Sequence, residues 1–206
     1  MYKAIKFKTI LFAVGLVTFL LLLSSAVYAQ DLKIKKIESD IFSLTYSENY
    51  QQPLELSYTV QCPTGTASRK GLDFYTCDSV TTSDNQDYVN NIYDKGHLAP
   101  AAAFNCDRET LKKTFTYLNC ALQHQSLNRG PWKELERFER DLAKVYAFIS
   151  ITIICHFEDK PQNWLPTGAL VPVGFTKIIW CDGNKFTFYF PNLDVKGQDW
   201  ITFQTD

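Results

Sequence analysis

Two stretches decide the fold of this 206-residue chain: Tyr93-Asp94-Lys95-Gly96-His97-Leu98-Ala99-Pro100 and Asn128-Arg129-Gly130-Pro131-Trp132-Lys133-Glu134-Leu135-Glu136. In the first stretch a histidine follows a glycine, has charged neighbours and lies at the edge of a polar loop. Pro100 and the three alanines after it leave room beside this histidine. Because a single histidine is more often a structural residue than a catalytic one, His97 alone does not predict a site.

The second stretch opens the clearest predicted helix, which extends over residues 131–148. Pro131 suits a first helical turn, where its missing N–H is no loss. Glu136 follows Asn128 by eight residues, about two helical turns, so the two side chains return to nearly the same side. Asn119 precedes Asn128 by nine residues. Apolar residues recur at helical spacing and predict the buried face of the helix: Trp132, Leu135, Phe138, Leu142 and Val145.

On either side of these stretches the pattern predicts strands and one further short helix. Asp107 is a predicted cap for a helix over residues 107–114. Pro172 favours an edge strand or a strand start for its segment, because proline cannot donate to a sheet. Strands around one long helix indicate a mixed α+β domain. The predicted strands cover residues 54–60, 115–122, 145–155, 170–173, 177–180 and 185–190.

Taken together, the two stretches resemble the DNA/RNA non-specific endonucleases, a branch of the ββα-metal (His-Me finger) nucleases. That family has Asp-Arg-Gly-His before an alanine-rich loop, then an asparagine, and then Asn-x-Gly-x-Trp-x-x-Leu-Glu. This chain has Asp94-Lys95-Gly96-His97, then Asn119, then Asn128-x-Gly130-x-Trp132-x-x-Leu135-Glu136. The resemblance covers roughly residues 65–195, and two separated motifs in register are far more specific than a four-residue match. It implies a ββα-metal core with mixed or antiparallel sheets packed around the long helix.

The resemblance also implies a chemical role for each motif residue. His97 is expected to be the general base for the attacking water, since imidazole titrates near neutrality. Asn128 is expected to be the direct protein ligand of Mg²⁺ or Mn²⁺, because Mg²⁺ accepts oxygen ligands and retains several waters. Glu136 is expected to hold metal-bound waters. Asn119 is expected to position the phosphate or His97.

Three cations are expected to contact the substrate. Lys95 stands where the family has arginine, and lysine cannot make the planar two-point contact with phosphate, so slower turnover is an open alternative. Arg69 lies in a turn-rich segment, as an upstream arginine of the family does, and Arg129 adds positive charge beside the metal ligand. Each residue also has a structural interpretation: Asn128 as a helix cap, and Glu136 as half of an ordinary helix ion pair.

The first 29 residues have the order of a secretory signal peptide. Three lysines precede an uncharged apolar run, and Val27-Tyr28-Ala29 is a small-x-small cleavage pattern. Cleavage there predicts a secreted protein with no stable membrane association, in which residues 30–206 form a single endonuclease domain. The alternative is an uncleaved membrane anchor, because the uncharged stretch reaches the length of about 20 residues that crosses a bilayer.

The cysteines indicate a disulfide-stabilised domain. An even number of cysteines behind a predicted signal peptide indicates three disulfides, with fifteen possible pairings left open. A zinc site is the competing interpretation, and the lack of a C-x-x-C pair disfavours it. All six cysteines lie beyond residue 29: Cys62, Cys77, Cys106, Cys120, Cys155 and Cys181.

Charge limits the kind of nucleic-acid partner. Without the first 29 residues, which hold three lysines and no acids, the formal net charge changes from −1 to −4. A mildly acidic domain is compatible with an enzyme that releases its product, rather than with a tight nucleic-acid binder. Together with the predicted signal peptide, the resemblance implies a secreted, metal-dependent endonuclease that hydrolyses DNA and RNA with little sequence preference. The alternative is a catalytically weak or inactive nuclease-fold binding protein. Nothing in the sequence indicates an oligomeric state.

Overall fold

The computed structural model describes residues 33–206. The predicted signal peptide, residues 1–29, lies outside the described residues, so the domain boundary placed after it stays a prediction. Within residues 33–206, no helix combines the length and the apolar composition needed to cross a membrane.

Antiparallel strands of the described chain form one sheet of six strands and one sheet of two strands. In chain order the strands are β1 (Ile34–Glu38), β2 (Ser43–Ser47), β3 (Gln52–Thr59), β4 (Tyr93–His97), β5 (Cys120–His124), β6 (Ile149–His156), β7 (Gly174–Cys181) and β8 (Asn184–Pro191). The large sheet has the order β1-β2-β3-β6-β7-β8, and β4 pairs with β5 in the small one. Burial alternates along β6, because only one face of this central strand packs into the core.

The small sheet and the longest helix form a ββα unit that carries both motifs. The helices are α1 (Arg108–Lys113), α2 (Gln125–Leu127) and α3 (Lys133–Val145), with 3₁₀ turns at Asn85–Tyr88, Ala101–Ala103, Tyr117–Asn119 and Trp200–Phe203. After β5 the chain runs through α2 and a π-helical turn, Asn128–Trp132, directly into α3. Pro131 lies in this turn, where its missing N–H interrupts the regular helical hydrogen bonds.

Trp132 anchors the start of α3 on the large sheet. Its indole ring is fully buried and meets Phe175 and Phe190 edge-on, at 5.5 Å between centroids in each case. Such aromatic pairs add about 1 kcal/mol each beyond the area they bury. Leu135 is also fully buried, but Val145 is 75% exposed, so the predicted apolar stripe does not extend to the end of the helix.

Several segments differ from the sequence-based expectation, including β1, β2 and β4, for which no strand was predicted, and β6, which begins four residues later than expected. Residues 115–122 were expected to be a strand, but they form the 3₁₀ turn Tyr117–Asn119 before β5 begins at Cys120. Residues 170–173 form no strand; Leu170 makes an isolated bridge, and Pro172 has no N–H for a ladder. The long helix begins at Lys133 and ends at Val145, three residues before the predicted end. The predicted cap of α1 is confirmed, since the Asp107 side chain accepts from the Thr110 N–H.

The described residues contain one disulfide, Cys62–Cys106, so the prediction of three is wrong. Cys155 and Cys181 lie on neighbouring strands, but Cys181 is opposite Ile149, six residues before Cys155. At about 3.3 Å per residue this separation is about 20 Å, far beyond the span of a disulfide. Cys120 is buried in β5, where its thiol contacts the Tyr88 hydroxyl at 3.2 Å. The domain remains disulfide-stabilised and mixed α+β, as predicted.

Candidate active site

The two motifs meet at a cavity of about 510 Å³. His97 at the end of β4, Asn128 in the π-helical turn and Glu136 in α3 all line it. The three predicted substrate contacts line it as well: Lys95, Arg69 and Arg129. Asn119 does not line the cavity, so it is the one predicted site residue that the fold keeps apart from the others.

His97 is held by aromatic rings from two other segments. Its imidazole packs on Phe74 at 4.6 Å and meets Phe115 edge-on at 4.9 Å. Its Nε2 is buried without a hydrogen-bond partner among the described residues. Burial, together with the positive charge of Arg69, lowers the pKa of His97 to about 3. The imidazole is therefore neutral near pH 7, the form that is able to accept a proton.

The glycine before the histidine is explained by close packing between the strands. A Cβ on Gly96 would lie 2.6 Å from the Gln123 side chain on β5, a distance that real Cβ contacts essentially never show. Any other residue would therefore push β4 away from β5 and displace the histidine that follows.

Asn119 holds the backbone that follows His97. Its carboxamide is fully buried; Oδ1 accepts from the Ala99 N–H at 2.7 Å, and Nδ2 donates to the Ala99 and Thr114 carbonyls at 2.9 Å each. This buried position contradicts direct contact with a phosphate. The three hydrogen bonds of Asn119 hold the backbone of the loop that follows His97.

Asn128 is oriented by the first residue of the other motif. Its Nδ2 donates to Asp94 Oδ2 at 2.9 Å, and the Arg129 guanidinium donates to both oxygens of the same carboxylate. An ionised carboxylate only accepts hydrogen bonds, so the amide nitrogen must face Asp94. The amide oxygen of Asn128 has no hydrogen-bond partner among the described residues, and Asn128 lines the cavity. Sequence reasoning assigned no role to Asp94.

Glu136 is a partly buried carboxyl group on α3. Burial raises its pKa to about 7; Glu139 adds to the rise, and the positive charges of Lys177 and Arg140 oppose it. Arg140 does not pair with the Glu136 carboxylate as expected for a helix ion pair, because its guanidinium donates to the Glu136 backbone carbonyl at 2.9 Å. The carboxyl group therefore remains available to the cavity that it lines.

A buried ion pair connects this part of α3 to the large sheet. Lys177 on β7 and Glu139 on α3 are both fully buried, with 2.8 Å between Nζ and Oε1. The Tyr58 hydroxyl donates to the other Glu139 oxygen, and the Lys177 ammonium lies 3.9 Å from the centre of the Trp132 ring. The pair ties the helix that carries Glu136 to the large sheet.

The wall of the cavity is strongly cationic. It carries one carboxylate, Glu136, against five cations: Arg69, Lys95, Arg129, Lys133 and Arg140. The domain as a whole is slightly acidic, so positive charge is concentrated where the motifs meet. Arg140 was overlooked as a cavity residue; its position one turn after Glu136 was the available signal.

The residues present fit a hard divalent cation held mainly through water. Among residues 33–206 there is no group of three or more His, Cys, Asp or Glu side chains placed to hold a metal ion. Mg²⁺ and Mn²⁺ are served by oxygen ligands, and Mg²⁺ commonly binds through one or two protein groups and several waters. The oriented amide oxygen of Asn128 and the carboxyl group of Glu136 are oxygen donors of this kind.

The fold is that of the ββα-metal nucleases. The chain superimposes on the crystal structure of the EndoG/EndoGI complex, which concerns the inhibition of EndoG, with a TM-score of 0.73 and 23% identity. The match covers 83% of this chain and 80% of that chain. The predicted fold class is thereby confirmed.

Residues 24–206 match the profile of the DNA/RNA non-specific endonuclease family, and the chain belongs to that family. It is 35% identical over 90 residues to the mitochondrial Endonuclease G of Bos taurus, covering 42% of this chain and 30% of that protein. It is 28% identical over 128 residues to the mitochondrial nuclease EXOG of Danio rerio, covering 61% and 32%. It is 46% identical over 55 residues to a salivary endonuclease of Lutzomyia longipalpis, covering 27% and 13%. The chain thus matches about a third or less of each of these relatives.

The predicted secreted location is contradicted by these relatives. Endonuclease G and EXOG are named as mitochondrial, and so is a nuclease of Saccharomyces cerevisiae, whereas one relative is salivary. Secretion had been inferred from the charge and apolar pattern of residues 1–29 alone. The comparison therefore corrects it.

Proposed function

We propose that this chain is a metal-dependent endonuclease that hydrolyses phosphodiester bonds of DNA and RNA with little sequence preference. One observation carries the proposal: His97, Asn128 and Glu136, from separate elements, line one cationic cavity. A neutral imidazole, an oriented amide oxygen and a carboxyl group around a space of about 510 Å³ suit a phosphodiester with a hydrated cation.

His97 acts as the general base in this proposal. The neutral ring takes a proton from the water that attacks phosphorus. Burial and the charge of Arg69 disfavour the imidazolium, so the free imidazole is available to accept this proton. Phe74 and Phe115 keep the ring in one orientation, and Asn119 acts as a positioning residue through the loop backbone.

Asn128 and Glu136 are the residues that would hold a Mg²⁺ or Mn²⁺ ion. Asn128 would supply its amide oxygen as the direct ligand, and Glu136 would orient metal-bound waters. When bound, the ion supplies positive charge that stabilises the leaving oxygen. Asp94 keeps the Asn128 oxygen directed away from itself by binding the amide nitrogen.

Lys95, Arg69 and Arg129 contact the substrate phosphates. Cations that contact the sugar-phosphate backbone carry no information about the base sequence, so cleavage is expected at many sites. Arg129 already donates two hydrogen bonds to Asp94, at 2.8 and 2.6 Å, and the other N–H groups of its guanidinium remain for a phosphate.

Cleavage of plasmid DNA and of a structured RNA tests the proposal. The purified chain should degrade both with Mg²⁺ or Mn²⁺ and stop when the ion is chelated. His97→Ala should lose at least about a hundredfold in rate, the usual size of a general-base contribution. His156→Ala is the matched control, because His156 bonds to Thr176 and does not line the cavity.

The same assay decides between this function and binding without catalysis. If the wild-type chain binds DNA in a gel-shift assay but leaves it intact with every divalent ion, it is a nuclease-fold binding protein. If His97→Ala and His156→Ala cut equally fast, the base assignment is refuted although the nuclease function stands.

A further inference from the structure

Lys95 stands where the motif that this chain resembles has arginine, and four side chains surround its ammonium group. Its Nζ donates to Asp73 Oδ1 at 3.0 Å and to Asn85 Oδ1. The rings of Phe74 and Tyr117 lie 5.7 and 5.5 Å from the same nitrogen, within reach of cation–π attraction. The Lys95 side chain is 23% exposed and lines the cavity.

Both polar partners are themselves fixed. Asp73 Oδ1 accepts from the Phe74 N–H at 2.8 Å, which orients the carboxylate although its side chain is largely exposed. Asn85 is the first residue of a 3₁₀ turn closed by a capping box between Asp84 and Asp87. The Tyr117 hydroxyl donates to the same Asn85 oxygen at 2.7 Å. The two acceptors therefore do not depend on Lys95 for their own positions.

An ammonium group has three hydrogens to donate, and two are committed here. We propose that Asp73 and Asn85 are positioning residues that hold the Lys95 ammonium so that its remaining N–H faces a phosphate oxygen in the cavity. This inference rests on the proposed function, because it takes a nucleic-acid phosphate as the ligand. Holding the flexible lysine compensates for the missing rigid fork of arginine, since less side-chain freedom is lost on binding.

Amine acetylation followed by mass spectrometry tests the positioning without any catalytic step. In the full chain, Asp73→Ala and Asn85→Ala should each speed the acetylation of Lys95 several-fold, whereas Asn85→Asp, which keeps an acceptor oxygen, should not. Asp141→Ala is the matched control, because Asp141 is an exposed carboxylate paired with Lys144 at 2.7 Å outside the cavity. Unchanged Lys95 acetylation in Asp73→Ala and Asn85→Ala overturns the proposal.

A double-mutant cycle tests the link to phosphate. Lys95→Ala should lower kcat/KM on DNA by about tenfold or more, and Asp73→Ala by about threefold. Adding Asp73→Ala to Lys95→Ala should cost nothing further, since a residue that acts through Lys95 has no effect without it. If the losses of kcat/KM add up in the double variant, Asp73 acts independently of Lys95. If Asp73→Ala is faster than the wild-type enzyme, Asp73 competes with the phosphate for the Lys95 ammonium. Either result overturns the proposal.

The outcome remains decisive if the chain proves not to be a nuclease. Binding of a fluorescent DNA duplex in chelator, measured by anisotropy, then replaces kcat/KM in the same cycle. If Asp73→Ala weakens DNA binding in the wild-type chain but has no effect in the Lys95→Ala variant, the positioning role is supported although the proposed function has failed. Equal binding by Asp73→Ala and the wild-type chain refutes the positioning role.

Discussion

Replacing Glu136 with glutamine should stabilise the metal-free protein at alkaline pH while reducing its proposed activity. The carboxyl group has its pKa raised from about 4.5 to about 7, chiefly by burial. A difference of this size corresponds to about 3 kcal/mol between the protonated and ionised forms. Because Glu136 keeps some exposure to the cavity, this value is an upper estimate. Glutamine retains the shape and never carries the charge.

The pH dependence of this stability gain follows from proton binding by the Glu136 carboxyl group in the folded and unfolded states. Between about pH 4.5 and about pH 7 the folded state binds the Glu136 proton more tightly than the unfolded state does. The stabilisation from this proton is complete below about pH 4.5 and is lost as the pH rises through about 7. Glu136→Gln should therefore gain less than about 1 kcal/mol over wild type at about pH 5, but about 3 kcal/mol at about pH 8.

Urea denaturation in chelator at the two pH values measures the gain. Glu134→Gln is the matched control, since Glu134 lies on the same helix, pairs with Arg137 at 3.0 Å and does not line the cavity. Its effect on stability should be small, because an exposed ion pair contributes little. Adding Mg²⁺ should stabilise wild type more than Glu136→Gln, and cleavage by the variant should fall. A Glu136→Gln gain that is equal at both pH values would refute the account of Glu136 burial.

Three other perturbations test the scaffold, all by denaturant unfolding. Lys177→Met should lower the free energy of unfolding by about 3–5 kcal/mol, because it leaves the Glu139 carboxylate buried without its cation. The double variant Lys177→Met/Glu139→Gln should recover part of this lost stability. Equal stability of the single and double variants would contradict the prediction. Replacing both Cys62 and Cys106 with alanine should lower the free energy of unfolding by up to about 4 kcal/mol, since the disulfide spans a sequence separation of 44. If a reductant leaves the stability of the wild-type chain unchanged, this prediction is wrong. Asn119→Ala should lower the free energy of unfolding by about 1–3 kcal/mol, because it leaves buried backbone groups without partners. It should also speed hydrogen exchange of the Ala99 amide. Unchanged exchange at Ala99 would show that the loop after His97 does not depend on Asn119.

Much of the fold could be predicted because local patterns depend on which side of an element is buried. The Asp107 cap follows from residue type, the central strand β6 from a continuous apolar run, and the helix after Pro131 from helical spacing. Alternation failed at residues 115–122, where the buried residues belong to a 3₁₀ turn rather than to a strand. Local periodicity reports burial, and a turn buried by its neighbours produces the same signal as a strand.

The candidate site divides in the same way. The two motifs predicted which side chains meet, and His97, Asn128 and Glu136 do line one cavity. Their catalytic and metal-binding roles remain proposals. The sequence did not indicate that Asp94 would orient the Asn128 amide, because that contact joins residues 34 positions apart.

By itself, the sequence determined the family, the mixed α+β class and the residues that line the cavity, because motif spacing and hydrophobic periodicity are properties of consecutive residues. Only the tertiary structure decided that Cys62 pairs with Cys106, that Asn119 is buried behind His97, and that Asp73 and Asn85 hold the Lys95 ammonium. These outcomes depend on which distant segments come within a few ångströms of one another. Such distances are set by packing across the whole domain, and no local stretch of sequence contains them.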